Sequence, residues 1–251
     1  MNIGKRVFGL GVAAMGVARL LFHTVLAAQP TPHHTAGEEA IAYASIAAMI
    51  LGGLALNLRR TEVFGAAVLI ALYAIQVVGI AGPPAVAAPQ TWVVWQNLAE
   101  ATALMCGGVA ALAQAPGLAA ARAATIGRVG RWLFALCLVV FGISHFVYAK
   151  YTASLVPVWI PPSQMIWTYV TGAAQIVVAL ALVAGIRARL AALLLAAMYA
   201  GFGLFVWVPH LMSAPGLYSN WAEFLETLAL VGVAWTVADG VSRKTQGPTA
   251  A

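Results

Sequence analysis

Successive apolar runs of about 20 residues constrain the fold of this chain more than any other feature. They lie near residues 7–28, 38–57, 63–82, 91–114, 129–150, 163–185, 188–208 and 219–238. A bilayer core about 30 Å thick needs about 20 apolar residues in a helix. Lipid cannot satisfy backbone N–H and C=O groups, so each run must be helical. The sequence therefore predicts an all-α polytopic membrane protein with eight transmembrane helices.

The basic residues test this number of helices independently. With eight spans, nearly all of them fall on one side of the membrane: Lys5, Arg6, Arg59, Arg60, Arg122, Arg128, Arg131, Arg187, Arg189, Arg243 and Lys244. Lys150 alone falls on the other side, at a helix end. Cytoplasmic loops carry such an excess of Lys and Arg, so both termini are expected in the cytoplasm. The expected partner is the lipid bilayer rather than nucleic acid, whose binders cluster basic residues on one face.

The composition agrees with a lipid environment. Hydrophobic residues make up 63% of the chain and charged residues 8%, against roughly a quarter charged in soluble domains. The two cysteines, Cys106 and Cys137, lie inside apolar runs and form no CxxC pair. We therefore expect both to be small buried hydrophobic side chains and not a thiol redox centre.

The chain repeats itself at a constant offset of 126 residues. Landmarks that rarely match by chance align without a gap: Phe8 with Phe134, Gly16 with Gly142, Tyr43 with Tyr169, Tyr73 with Tyr199, Pro83 with Pro209, Pro89 with Pro215, Trp95 with Trp221, and Glu100 with Glu226. Four spans per unit make the two units parallel. The prediction is two tandem four-helix bundles, at residues 1–114 and 128–251, joined by a cytoplasmic linker at 115–127.

Few charged residues fall inside the predicted spans, and a charged group in hydrocarbon invites a functional hypothesis. By depth and repeat symmetry we expect two pairs between the first and fourth helices of a unit, Arg19 with Glu100 and His145 with Glu226. Because arginine does not release its proton, Arg19–Glu100 is predicted to be a structural ion pair. His145–Glu226 could likewise hold two helices together, or it could exchange protons, because histidine titrates near neutral pH.

Other residues of the second unit extend this candidate site. Glu223 lies three residues before Glu226 on the same helical face, and like charges so placed favour proton handling. Gln175 is a polar companion inside a span, while Trp159, Trp221 and His210 lie in or beside the loops above it. A belt of interfacial aromatic residues equally explains Trp159.

No metal site is predicted. His33 and His34 stand beside Glu38 and Glu39, but adjacent histidines in a short Pro-containing loop are more often solvated than arranged as four ligands. Haem binding is also not expected, because no two histidines fall at mid-membrane depth on facing helices.

The second unit resembles the DoxX-like family of four-span membrane proteins. The resemblance rests on five segments: Gly142 to Phe146, Val156 to Pro161, Tyr169 to Gly172, Arg187 to Ala191, and His210 through Pro215 to Trp221. The family includes membrane subunits of thiosulfate:quinone oxidoreductase. The resemblance thus implies a quinone-facing or redox-partner role in a prokaryotic plasma membrane. Gln175 departs from it, since family members often carry a glutamate there.

We therefore expect a quinone-interacting membrane subunit of an oxidoreductase. His145, Glu223 and Glu226 would handle protons, while Trp159, Trp221, His210 and Gln175 would hold the quinone. The chain has no CxxC, haem-ligation or Gly-rich nucleotide motif, so a redox partner protein or the substrate would supply electrons. The alternatives are a transporter or binding protein for a small solute or lipid, and a scaffold or assembly factor without a ligand.

Overall fold

The computed structural model describes residues 3–24 and 36–245, and over these ranges the chain is helical with short connections and no strand. The α-helices are α1 (Ile3–Leu21), α2 (Ala36–Leu56), α3 (Glu62–Ile75), α4 (Gly82–Ala87), α5 (Trp92–Leu112), α6 (Ala120–Val147), α7 (Ala149–Leu155), α8 (Gln164–Ala184), α9 (Ala188–Phe202), α10 (Val208–Ser213) and α11 (Tyr218–Thr245). Two π-helical segments, Gln76–Ala81 and Gly203–Trp207, join α3 to α4 and α9 to α10. The predicted all-α class is confirmed for the described residues.

The helix boundaries follow the 126-residue offset. The first residues of α3, α4 and α5 correspond exactly to the first residues of α9, α10 and α11. The two π-helical segments also correspond, within one residue. The connection between the halves is shorter than the predicted linker, because α6 begins at Ala120 and makes the end of the 115–127 stretch helical.

Both proline clusters lie inside helices where the sequence suggested breaks. Pro83 and Pro84 stand at the start of α4, and Pro209 stands at the start of α10. Proline lacks an N–H and its ring clashes with the carbonyl four residues earlier, so it fits an α-helix only in the first turn. Each π-helical segment shifts the hydrogen-bond register just before the prolines, so they fall at such a first turn. The helical stretches therefore continue to Ala87 and Ser213.

Six of these helical stretches are long and apolar enough to cross a membrane: Gly37–Leu56, Glu62–Ala87, Ala120–Val147, Gln164–Ala184, Ala188–Ser213 and Tyr218–Val241. They show that the described part of the chain has the composition of a multi-pass membrane protein. Helices α1 and α5 are of similar length, 19 and 21 residues, but fall outside this set.

The two halves interlock. Within each half, successive helices pack side by side, α1 on α2, α2 on α3 and α3 on α5, and likewise α6 on α8, α8 on α9 and α9 on α11. The first helix of each half, however, also packs extensively against the last helix of the other, α1 on α11 and α6 on α5. Contact between the first and last helices of one half is marginal. This corrects the expectation that Arg19–Glu100 and His145–Glu226 join neighbouring helices of one unit.

Small residues allow the closest of these crossings. A Cβ atom on Gly232 of α11 would lie 2.1 Å from the backbone nitrogen of Phe8 on α1. Phe8 is fully buried, as is its counterpart Phe134 on α6. At the matching α5–α6 crossing the repeat replaces Gly11 and Gly232 with Cys137 and Cys106, both buried. The buried, apolar setting predicted for the cysteines is confirmed.

Candidate functional site

A cavity of about 910 Å³ opens among helices of both halves. Its walls come from α6, α8, α9, the second π-helical segment and α11 of the second half, together with α5 of the first half. The short helix α7 and the segment after it also line the cavity, through Tyr151, Leu155 and Trp159. The volume is in the range of pockets that hold drug-sized ligands.

His145 belongs to a hydrogen-bonded chain in the cavity wall. Its Nδ1 lies 3.2 Å from the carbonyl oxygen of Thr168, which can only accept, so Nδ1 carries the proton. Its Nε2 lies 3.1 Å from the amide nitrogen of Gln175 and accepts from it. The Tyr199 hydroxyl donates to the side-chain oxygen of Gln175 at 3.0 Å, which fixes the orientation of the amide. His145 is therefore a neutral ring with both nitrogens engaged; the Thr171 hydroxyl also lies 3.1 Å from Nδ1.

A second chain joins α5 to α6. The indole N–H of Trp92 donates to the Ser144 hydroxyl at 2.7 Å. Ser144 donates to the side-chain oxygen of Gln96. Gln96 then donates to Glu100 at 2.8 Å. The chain holds one oxygen of Glu100 at a defined place in the cavity wall.

Three carboxyl groups meet in this cavity: Glu100 from α5, and Glu223 and Glu226 from α11. Glu226 lies within electrostatic range of the other two and of Arg19. Among the described residues, neither Glu223 nor Glu226 forms a hydrogen bond or an ion pair. These two carboxyl groups are thus available to a molecule in the cavity.

Five predicted site residues line this one cavity: His145, Glu223, Glu226, Trp159 and Gln175. Their common location could not be derived from sequence spacing, because they come from three helices and a connection. His145 and Glu226 are not hydrogen-bonded to each other, since the ring nitrogens have other partners.

Two predicted ligand-holding residues lie outside the cavity lining. Trp221 donates its N–H to the carbonyl of Pro215 at 2.9 Å and packs near Phe22, which directly follows α1, with ring centroids 6.4 Å apart. Its repeat counterpart Trp95 makes the same bond, to Pro89, which indicates a structural role for both. His210 is within α10 and half-buried, not exposed at a helix end; its Nδ1 donates to the carbonyl of Val206 at 2.7 Å.

The expected ion pair between Arg19 and Glu100 is not formed. Lys5 of α1 instead forms an ion pair with Glu62 at the start of α3. Arg19 lies on α1, which packs against α11, and is within electrostatic range of Glu226 instead. The interlocked packing of the halves is the physical reason.

Sequence reasoning missed Gln96, Ser144 and Tyr199 as members of the site. Two signals were present: Gln96 precedes Glu100 by four residues and so shares its helical face, and Ser144 is adjacent to His145. The repeat also pairs Gln175 with Met49, which marks a polar group that only the second unit needs.

No cluster of three or more His, Cys, Asp or Glu side chains arranged to hold a metal ion occurs within residues 3–24 and 36–245. His33 and His34 lie outside the described residues.

Comparison with known proteins adds one match. Residues 134–214 match a domain of unknown function, DUF8561. This segment contains the second half of α6 together with α7 to α10, but neither α5 nor α11. No curated protein and no solved structure matched the chain.

Proposed function

We propose that this protein is the quinone-interacting membrane subunit of an oxidoreductase, and that its cavity is the quinone site. The observation that carries the proposal is the cavity itself. His145, Glu223, Glu226 and Trp159 all line it, within walls that are mainly apolar. A few polar groups that fix orientation inside an apolar pocket are typical of cofactor sites.

The residues present fit a quinone ring. Phe202 and Phe205 supply flat apolar surface; Trp159 packs edge-on to Phe205 with centroids 6.2 Å apart. Glu223 and Glu226, when protonated, can donate to a carbonyl oxygen, and neither is committed to another described residue. A bound quinone would supply the two-electron, two-proton chemistry, with electrons from a partner protein or from the substrate.

Within this proposal, proton delivery belongs to Glu223 and Glu226, and His145 has a positioning role. The neutral ring accepts a hydrogen bond from Gln175 and donates one to Thr168. Both ring nitrogens are therefore bonded to protein groups of the cavity wall. Carboxyl groups without a protein partner can hold a proton next to the ligand and replace it from the surroundings.

We further propose eight membrane spans, with both termini in the cytoplasm of a prokaryotic plasma membrane and the second half as a DoxX-like unit. Helices α1 and α5 lie along candidate spans and have suitable lengths. The polar residues that lower the hydropathy of α5, Gln96, Asn97 and Glu100, line the cavity instead of facing lipid. Lys5 of α1 is compensated by Glu62. Eight spans also keep the basic residues on one side.

Purified protein tests the quinone proposal in two ways. Organic extraction should release a quinone, detected by chromatography. Titration with a short-chain ubiquinone should quench tryptophan fluorescence, because Trp159, Trp167 and Trp207 line the cavity. We expect His145→Ala or Glu226→Gln to weaken binding about tenfold, roughly 1.4 kcal/mol.

His210→Ala is the matched control, since His210 is a half-buried histidine outside the cavity lining. It should bind the quinone like the unaltered protein. If all three variants bound the quinone equally well, His145 and Glu226 would not form the quinone site.

A further inference from the structure

The cavity has an unbalanced charge. Three carboxyl groups line it, Glu100, Glu223 and Glu226, and no Lys or Arg is found among its described lining residues. Arg19 acts on Glu226 electrostatically but is not among the lining residues. Charges interact strongly where water is excluded, so this space favours a cation over an anion or a neutral molecule.

The carboxyl groups also keep hydrogen-bonding capacity that the described protein groups do not fill. Glu100 accepts one hydrogen bond, from Gln96. Within the described ranges, Glu223 and Glu226 accept none, although both line the cavity. Glu226 is half-buried and Glu223 is exposed, so a ligand that brings positive charge or N–H donors could reach both and complete the site.

A buried hydroxyl near Glu226 supports the same conclusion. The Tyr73 side chain is 1% exposed, and its hydroxyl has no hydrogen-bond partner among the described residues. It lies within electrostatic range of both Glu226 and Arg19. Its repeat counterpart Tyr199 is satisfied by Gln175. The region around Glu226 therefore holds more polar groups than the protein pairs internally.

Aromatic rings line the same cavity as the carboxyl groups. The lining includes Trp159, Trp167, Trp207, Phe202, Phe205 and Tyr151. Faces of Trp, Tyr and Phe attract cations, and the attraction grows when water is excluded. Aromatic surface and carboxylates in one cavity are the two elements that recognise an apolar cation.

We propose that the cavity binds organic cations with a large apolar body, and that Glu100 and Glu226 recognise their charge. Glu100 comes from the first half and Glu226 from the second, so the site is completed only where the halves interlock. This ligand class is separate from the quinone proposed above, and each can fail without the other. Protons compete with the cation for the same carboxylates, which makes binding weaker at low pH.

The groups that surround Glu226 define this competition. Glu223 is on its own helix, Arg19 on α1, Tyr73 on α3 and Glu100 on α5, while His145 of α6 and Tyr199 of α9 line the same cavity. Carboxyl groups outnumber the cations in this set, so deprotonation at higher pH increases the attraction for a bound cation.

Tetraphenylphosphonium is a suitable probe, with triphenylphosphine oxide as a neutral molecule of similar aromatic surface. Both can be titrated into purified protein, by calorimetry and by tryptophan quenching. We expect the cation to bind at least tenfold more tightly than the neutral probe, and its Kd to rise as pH is lowered. The double variant Glu100→Gln with Glu226→Gln should raise the Kd of the cation at least tenfold and leave the Kd of the neutral probe unchanged.

Glu39→Gln removes the same charge from an exposed position on α2 and should change nothing. The neutral probe reports whether the variant cavity is intact. Equal affinity for the two probes, or unchanged cation binding in the double variant, would overturn the proposal. Quinone titration of the same preparations separates this result from the fate of the quinone site.

Discussion

The two halves share a helical arrangement but differ in the side chains at two of three equivalent positions. In the second half, Tyr199, Gln175 and His145 form a continuous chain of hydrogen bonds. In the first half the corresponding residues are Tyr73, Met49 and Arg19, and the hydroxyl of Tyr73 has no partner among the described residues. A thioether stands in place of the amide and a guanidinium in place of the imidazole, and over the described ranges the chain of hydrogen bonds is absent there. Duplication preserved the helices, while the polar wall is complete in one copy.

The crossings between the halves differ in a parallel way. Gly232 lets α11 touch α1, whereas Cys106 stands at the matching place where α5 meets α6. The α1–α11 crossing has no space for even a methyl group, and the α5–α6 crossing accommodates a thiol. Pseudo-symmetric interfaces can thus have different tolerance for the same substitution.

The largest expected effect separates these two crossings. Gly232→Ala places a Cβ 2.1 Å from the Phe8 backbone, so the helices must move apart. We expect a loss of at least about 2 kcal/mol in the free energy of unfolding, or failure to fold. Cys106→Ala should cost about 1 kcal/mol, because it only removes buried volume. Denaturation in detergent measures both, and equal costs would show that the crossings are alike.

A second substitution makes the complete wall resemble the incomplete one. Gln175→Met leaves the Tyr199 hydroxyl and the His145 Nε2 without partners at a side chain that is 1% exposed. Unsatisfied buried polar groups cost about 1–3 kcal/mol. We expect a destabilisation in that range together with weaker quinone binding. Met49→Ala in the first half serves as control for quinone binding, which it should not alter.

Removing each tyrosine hydroxyl isolates the contribution of one bond. Tyr199→Phe should destabilise the protein by about 1 kcal/mol, since it breaks the bond to Gln175. Tyr73→Phe should cost nothing or stabilise slightly, because that hydroxyl is buried without a partner among the described residues. Thermal unfolding of the two variants side by side measures the difference. A larger loss for Tyr73→Phe would contradict the comparison.

The smallest effect is expected where the halves are equivalent. Trp95 and Trp221 each donate to the carbonyl six residues earlier, at 2.9 Å in both cases. Trp95→Phe and Trp221→Phe should therefore each cost less than about 1 kcal/mol, in similar amounts. Neither should affect ligand binding, since neither tryptophan lines the cavity. If Trp221→Phe lost quinone binding and Trp95→Phe did not, Trp221 would be part of the quinone site after all.

Much of the fold was predictable because it is local. Apolar runs fixed the helices, and the 126-residue offset reproduced the starts of α3, α4 and α5 in α9, α10 and α11. The continuation of helix through Pro83 and Pro209 was not predictable from proline alone, since it depends on a shift of register in the preceding turn.

The members of the site were partly predictable, but their pairing was not. His145, Glu223 and Glu226 stood out as costly residues in apolar runs, and the cavity contains all three. Which helix faces which depends on the packing of distant segments. Arg19 was therefore assigned to Glu100, although α1 packs on α11. Glu100 joins the cavity for the same reason, as the fourth helix of the first half completes the wall of the second.

The exchange of end helices between the halves has an evolutionary consequence. A four-helix ancestor with this geometry would have lacked one wall of its own cavity and needed a second copy of itself to supply it. Fusion of the two genes would have turned that dimer into one polypeptide. Each half would then have been free to change without a matching change in the other, so one could specialise while the other kept the helix that its neighbour required.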